Sequence, residues 1–239
     1  MIILVSLFGD IGESNSRIKR VYENCGVQDV VVVTSNFDHG KKSFKKGKIG
    51  NNELFIDVPG YKSNVSLCRI YSHLIFAARL HHFLKKLCIM PSVIYCAMPP
   101  SCAAYICGKY CKKHGIRFII DVVDIWPDSL LPLLPGYKFF GFLLSPWSIV
   151  TKRAYGFADV IFGESTKYVE IAASNNKIAK KVPLYLGIDI KQTERALKGN
   201  IELEKNSEEI WIAYAGSLGK SYDFEYLLRS IKGIDAKYK

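Results

Sequence analysis

A few residues in this 239-residue chain have the types and spacing to do chemistry. Gly9 and Gly12 follow the apolar run Ile2 to Phe8, and Gly216-Ser217-Leu218-Gly219 follows the run Ile210 to Ala215. A short apolar run that feeds a glycine turn and then a helix aims backbone N–H groups at an anion, as phosphate-binding turns do. Both turns are candidate phosphate contacts, although a lone Gly-x-x-Gly is also what a tight turn needs on its own. Asp124 closes the run Arg117-Phe118-Ile119-Ile120-Asp121-Val122-Val123-Asp124. Open α/β sheets bind ligands at the carboxyl ends of their strands, and a carboxylate there can accept a ligand hydroxyl or act as general base. Asp121 competes for that role, and strand alternation sends the two to opposite faces. Asp124 can equally cap the turn before Trp126-Pro127.

The elements that must position these residues alternate along the chain. Strands are expected at 2–8, 30–34, 54–58, 93–97, 117–124 and around Ala158 to Phe162. Val30-Val31-Val32-Val33 is β-branched without polar alternation, the pattern of a strand covered on both faces in a parallel sheet. Helices are expected from Arg17 to Asn24, from Val65 to Leu87, from a Ser101 cap to Lys113 with Gly115 as the stop, over 137–155, and from Thr166 to Ala173. In the helix at 65–87, Leu67, Ile70, Tyr71, Leu74, Phe76, Ala77, Leu80 and Leu84 supply apolar positions, with Arg69, Arg79, His81 and His82 interleaved. The fold class is thus α/β, a Rossmann-like, mostly parallel sheet with helices on both faces. The expected organisation is a first domain over 1–189, a polar linker over 190–209, and the first strand and helix of a second Rossmann-like domain over 210–239. One strand and one helix cannot bury a core, so this second domain reads as incomplete.

Composition narrows the function. Hydrophobic residues make up 49%, enough for a packed core, yet no run reaches the roughly 18 apolar residues of a membrane span. The opening residues lack the basic region of a signal peptide, so a cytoplasmic chain is expected. Seven cysteines form no Cys-x-x-Cys pair, against a disulfide framework or zinc knuckle. Cys107 and Cys111, one helical turn apart, read as buried small hydrophobes. Residues 1–195 hold 26 Lys and Arg against 15 Asp and Glu, an excess of 11, while 196–239 hold seven of each. A first domain this basic favours an anionic partner such as a membrane surface. Lys41, Lys42, Lys45, Lys46 and Lys48 read as a charged loop. Tyr137 to Leu144 with Trp147, Lys152 and Arg153 mixes aromatics and cations as interfacial segments do. Charge alone also fits nucleic acid, but nothing at the strand ends calls for it.

Several motifs stand in one order. Asp124-Ile125-Trp126-Pro127-Asp128-Ser129-Leu130 resembles the D-x-W-P-[DE]-S-L element of some bacterial family-4 glycosyltransferases. Ala158-Asp159-Val160-Ile161 through Glu164-Ser165, Pro183 to Asp189, and Ala213 to Gly219 resemble three further elements of that family. The resemblance implies a GT-B architecture of two Rossmann-like domains, the first binding acceptor and the second a nucleotide-sugar donor. It implies retaining, metal-independent sugar transfer with no cofactor, to a lipid-linked saccharide in capsule, O-antigen or exopolysaccharide assembly, by a protein peripheral to the inner face of the cytoplasmic membrane. Under it, Asp124 lies near the acceptor and the transferred sugar. Gly9 and Gly12 approach the donor phosphates, and Gly216, Ser217, Leu218 and Gly219 hold the diphosphate. The family's Arg/Lys pair and E-x7-E element are missing. Glu202 and Glu209 are seven apart and precede the expected strand, so they are not that element. The chain alone is therefore expected to bind donor poorly. The alternative is a non-catalytic remnant or the acceptor- and membrane-binding half of a split transferase, whose donor site comes from a separate chain.

Overall fold

A β-branched run such as Val30 to Val33 is stable only when strands flank it and apolar layers cover it, and the fold supplies both. The computed structural model describes residues 1–13, 16–45, 52–130 and 141–187, together with 190, 193–194, 206, 209, 211–216 and 223–232. The chain divides into two units, Met1–Ile188 and Asp189–Lys239. The first is built on a sheet of seven strands: β1 (Ile2–Val5), β2 (Val30–Ser35), β5 (Glu53–Ile56), β6 (Val93–Met98), β7 (Arg117–Val122), β8 (Val160–Gly163) and β9 (Lys180–Pro183). Their spatial order is β5-β2-β1-β6-β7-β8-β9, and every pairing is parallel. The chain winds outward from β1 in one direction and then from β6 in the other, so the switch point of this doubly wound sheet lies between β1 and β6.

Helices follow most strands. α1 (Arg17–Asn24) lies on one face with Ile18 against Leu4, Val30, Val32 and Tyr95. On the other face α2 (Leu67–Lys85), α3 (Ser101–His114), α4 (Ser145–Phe157) and α5 (Thr166–Ala173) close over the main core, which includes Ile3, Val5, Phe76, Leu80, Ile94, Phe118, Ile120 and Ile161. Ser16, Ser66 and Ser165 cap α1, α2 and α5 through their hydroxyls. Gly115 ends α3 with φ +66°, a left-handed stop that a residue with a Cβ resists. Ser101 is not the cap of α3 but its first residue, because its hydroxyl is taken by α4. Thr151 Oγ1 donates to it at 2.7 Å and Trp147 Nε1 at 3.2 Å. Gly108 lets α3 and α4 meet: a Cβ there would lie 2.6 Å from that of Phe157.

The structure corrects three further expectations in this unit. The strand ending in Asp124 stops at Val122, leaving Asp124 in the turn that follows. The charged loop after β2 begins as a small hairpin, β3 (Phe37–Asp38) with β4 (Ser43–Phe44). Its Lys45 is not a solvated charge, since Nζ lies 2.7 Å from Asp10. The third concerns α2, whose first half is inside out. Arg69, Ser72 and His73 are buried at 8%, 1% and 3% exposure, while Leu67, Ile70, Tyr71 and Leu74 face outward. Deeper along the same helix the order is regular, with Phe76, Leu80 and Leu84 fully buried.

In the second unit the described residues include a helix, α6 (Phe224–Lys232), and the stretch 211–216. The buried strand expected there is not seen: Trp211, Ile212 and Tyr214 are exposed and residues 211–216 join no ladder. A strand is held by its neighbours' hydrogen bonds, and among the described residues none offers them.

Candidate functional site

In a parallel sheet every strand delivers its following loop to the same edge, so side chains far apart in sequence converge there. Here Phe8 comes from the segment after β1, His39 from the hairpin after β2, Tyr61 from the segment after β5, Arg69 and His73 from the first turns of α2, and Trp126 from the turn after β7. They form one cluster. The Arg69 guanidinium lies 4.2 Å from the Trp126 ring centre, 5.3 Å from that of Phe8 and 5.9 Å from that of Tyr61. His73 stacks on Trp126 at 5.7 Å and meets the edge of Phe8 at 5.6 Å. His39 Nδ1 and the Tyr61 hydroxyl are 2.6 Å apart. Lys42 donates to the His39 carbonyl and, at 2.5 Å, to Asn64 Oδ1.

The electrostatics of the cluster follow from a buried cation, Arg69, on which the Tyr61 hydroxyl and the more distant Asp124 charge act without forming an ion pair. Arg69 Nη1 donates to the Asn64 carbonyl at 2.8 Å. Its Nε, like His73 Nε2, is buried with no hydrogen-bond partner among the described residues. Arg69 enters no ion pair among the described residues. Burial, then the charges of Arg69 and His39, holds His73 down to a pKa of about 3. Burial, then Arg69 and Lys42, lowers His39 to about 4. Both imidazoles are thus neutral at neutral pH, able to donate one hydrogen bond and accept another. Beside them opens a cavity of about 380 Å³, lined among the described residues by Val65, Leu67, Ile70, Leu144 and Trp147 along with Arg69, His73 and Trp126. Its back wall is fixed by the Thr151 hydroxyl, which reaches both Ser101 and, at 3.3 Å, the Trp126 carbonyl.

Asp124 lies at this edge in a partly buried turn. Its Oδ1 accepts from the Ile125 amide at 2.8 Å and from the Ser129 hydroxyl at 2.7 Å, so one oxygen shapes the turn that carries Trp126. Asp121 does go to the opposite face. There it is fully buried and holds Arg17 through two bonds, 2.5 Å from Nε and 2.8 Å from Nη2, and also accepts from the Tyr95 hydroxyl.

No protein-family model matches the sequence, and no curated protein matches it. Among solved structures the chain is similar to a sucrose-phosphate synthase from Thermosynechococcus elongatus, with 10% identity over 82% of this chain and 93% of that one, at a TM-score of 0.44. It is also similar to Arabidopsis thaliana UGT89C1 complexed with UDP, with 11% identity, 100% of this chain, 65% of that one and a TM-score of 0.47. For UGT89C1 complexed with UDP-L-rhamnose the values are 13%, 84%, 55% and 0.44. The chain spans less than two thirds of the length of the UGT89C1 chains.

The remaining candidates are distributed as follows. Gly9 has φ +79°, and a Cβ there would meet Ser16 at 3.1 Å, so both backbone shape and space require glycine. The Gly12 and Glu13 amides donate to Asp10 Oδ1 at 2.9 and 3.0 Å, and the Ile11 amide donates to Glu53 at 3.1 Å. Three successive amides therefore face carboxylates, and an incoming phosphate would have to displace them. Gly216 sits in an exposed bend, where a Cβ would lie 2.5 Å from the Tyr214 hydroxyl. Ser217, Leu218 and Gly219 lie outside the described residues. Cys107 and Cys111 are buried in the core, and among the described residues no group of three or more His, Cys, Asp or Glu is placed to hold a metal ion.

A larger cavity, of about 590 Å³, runs along the α1 face between α1 and Leu184–Gly187. Two of its polar walls are committed: Tyr95 and Arg17 serve Asp121, and Arg17 also donates to the Leu184 carbonyl at 2.7 Å, while Arg20 lines it too. In the carboxyl-edge pocket, buried polar atoms of Arg69 and His73 have no hydrogen-bond partner among the described residues. Its signal was present in the sequence, since Arg69 and His73 fall on the helical stripe of Phe76, Ala77, Leu80 and Leu84. A cation and an imidazole one turn apart on a buried stripe mark a site rather than a solvated face.

Proposed function

We propose that residues 1–188 form the acceptor-side domain of a glycosyltransferase. In this reading it works with a nucleotide-sugar donor and a lipid-linked saccharide acceptor, in retaining and metal-independent transfer, at the inner surface of a membrane. The observation that supports it most directly is the place of the Asp124-to-Ser129 segment. It folds at the carboxyl edge beside the switch point, with Trp126 in the pocket wall and Asp124 in the same turn. A flat aromatic beside polar groups is a surface on which a sugar ring can stack while its hydroxyls are read by hydrogen bonds. Asp124 keeps Oδ2 for an acceptor hydroxyl and serves as general base or as the group that orients it. Gly9 and Gly12 bring backbone to the donor phosphates once the Asp10 and Glu53 carboxylates yield the amides. The Gly216-to-Gly219 turn belongs to the donor side.

Calorimetric titration tests the reading. The protein is expected to bind a lipid-linked mono- or disaccharide and to bind nucleotide sugars only weakly, because no E-x7-E pair follows the Gly216-to-Gly219 turn in this sequence. Asp124→Asn should weaken saccharide binding with the fold intact. Failure to bind any lipid-linked saccharide would sink the acceptor assignment. Micromolar binding of a nucleotide sugar would overturn the division of labour.

A further inference from the structure

A guanidinium does not shed its proton in a protein, so a buried Arg keeps its charge and needs an anion or a full set of acceptors. Arg69 is 8% exposed. Three aromatic rings lie around it, the Asn64 carbonyl takes one Nη1 bond, the Tyr61 hydroxyl and the Asp124 charge also act on it, and among the described residues Nε is buried without a hydrogen-bond partner. His73 Nε2, on the next turn of α2, is buried and unanswered as well. Both residues line a cavity whose other walls are mostly apolar or aromatic, among them Val65, Leu67, Ile70, Leu144 and Trp147, with Asn64 and Ser66 as its further polar lining. Leu67 and Ile70 face outward at 83% and 39% exposure, so the apolar wall continues to the protein surface.

We infer that this cavity binds a lipid phosphate, with the phosphate oxygens on Arg69 and His73 and the first carbons of the chain against Leu67, Ile70 and Trp147. A free phosphate would satisfy Arg69 but leave the apolar wall without a role. A neutral lipid would cover the wall and leave the cation bare. Only an anion joined to a hydrocarbon chain answers both parts, and guanidinium matches phosphate in geometry as well as charge. The inference rests on the acceptor-side reading and deepens it by naming the charged group through which an acceptor lipid is held.

The three tryptophans make the test direct, because Trp126 and Trp147 both line the cavity while Trp211 belongs to the other unit. In a Trp211→Phe background, emission reports the cavity. Farnesyl phosphate is expected to change that emission saturably, and farnesol or inorganic phosphate should need about tenfold or more higher concentration. Arg69→Met should weaken farnesyl phosphate binding about tenfold or more. Leu67→Glu, at an exposed position that does not threaten folding, should weaken it too by placing a negative charge at the cavity. No saturable change, equal binding of farnesol or of inorganic phosphate, or undiminished binding in both variants would overturn the inference. The two readings fail separately. A protein that binds farnesyl phosphate in this way but no lipid-linked saccharide keeps the phosphate site and loses the transferase assignment. One that binds the saccharide lipid with Arg69→Met unaffected does the reverse.

Discussion

His73 shows how a side chain chosen for a pocket affects the whole fold. Its ring is stacked on Trp126 with Nε2 unanswered, and burial with the Arg69 charge holds its pKa near 3. In the unfolded chain the same imidazole titrates near 6.5. Between these values the unfolded state binds the proton and the folded state does not, so stability rises with pH across the window. The contribution is complete above about 6.5 and is lost as pH falls toward the folded value, at about 1.4 kcal/mol per pH unit. His39, held near 4, acts in the same direction. Urea unfolding at pH 7.5, 6 and 5 should therefore show falling stability in the native protein and a shallower fall in His73→Phe, which keeps the stacking and removes the titration. Parallel curves for the two proteins would mean that His73 is not held neutral by the fold.

At the scale of elements, the contact that sets the pocket wall is α3 against α4. Gly108 is where they meet, and Gly108→Ala forces a Cβ to within 2.6 Å of that of Phe157. Overpacking of this kind costs about 1–3 kcal/mol, to be read as a lower urea midpoint with an unchanged slope. A change within error would show that α4 can slide away freely. The elements also show what a reader of the sequence can and cannot see. The inner strands were legible because parallel strands buried on both faces are written as uninterrupted β-branched and apolar runs, as in Val30 to Val33 and Phe118 to Ile120. β9, Lys180-Lys181-Val182-Pro183, was not, because an edge strand pairs on one side only and need not be apolar. The helix at α2 was legible in extent but not in facing. Its first half lies at the carboxyl edge, where the site rather than the sheet takes the inner side, so Leu67, Ile70, Tyr71 and Leu74 read as core and are exposed. Asp124 and Gly9 could be picked out because each follows its strand within a few residues. Of the pocket only Arg69 and His73, on one helical stripe, leave a mark in the sequence, because its parts come from five separate segments and only the parallel topology brings them together.

At the scale of the molecule, charge and exposed apolar surface act together. The chain carries a formal net charge of +11, all of the excess within residues 1–195. Leu67, Ile70, Tyr71 and Leu74 on α2, and Phe142 and Leu143 just before α4, are exposed. Trp147 is not one of these anchors, because its ring is held at the pocket wall by Ser101 and by Trp126. No helix among the described residues is long and apolar enough to cross a membrane, so an association through these side chains is interfacial. Each Lys or Arg near an anionic surface adds about 1 kcal/mol, and fully burying a Leu adds about 1.5–3 kcal/mol. A few of each therefore suffice for reversible binding. The protein should sediment with phosphatidylglycerol-containing vesicles and much less with neutral phosphatidylcholine vesicles. It should be released at about 1 M salt, where the Debye length shrinks to about 3 Å. The double substitution Leu67→Glu with Leu74→Glu should release it without added salt, because both side chains stand outside the core and their replacement leaves the fold alone. Binding that survives both molar salt and the two glutamates would place the membrane contact on a different face and separate it from the pocket at the carboxyl edge.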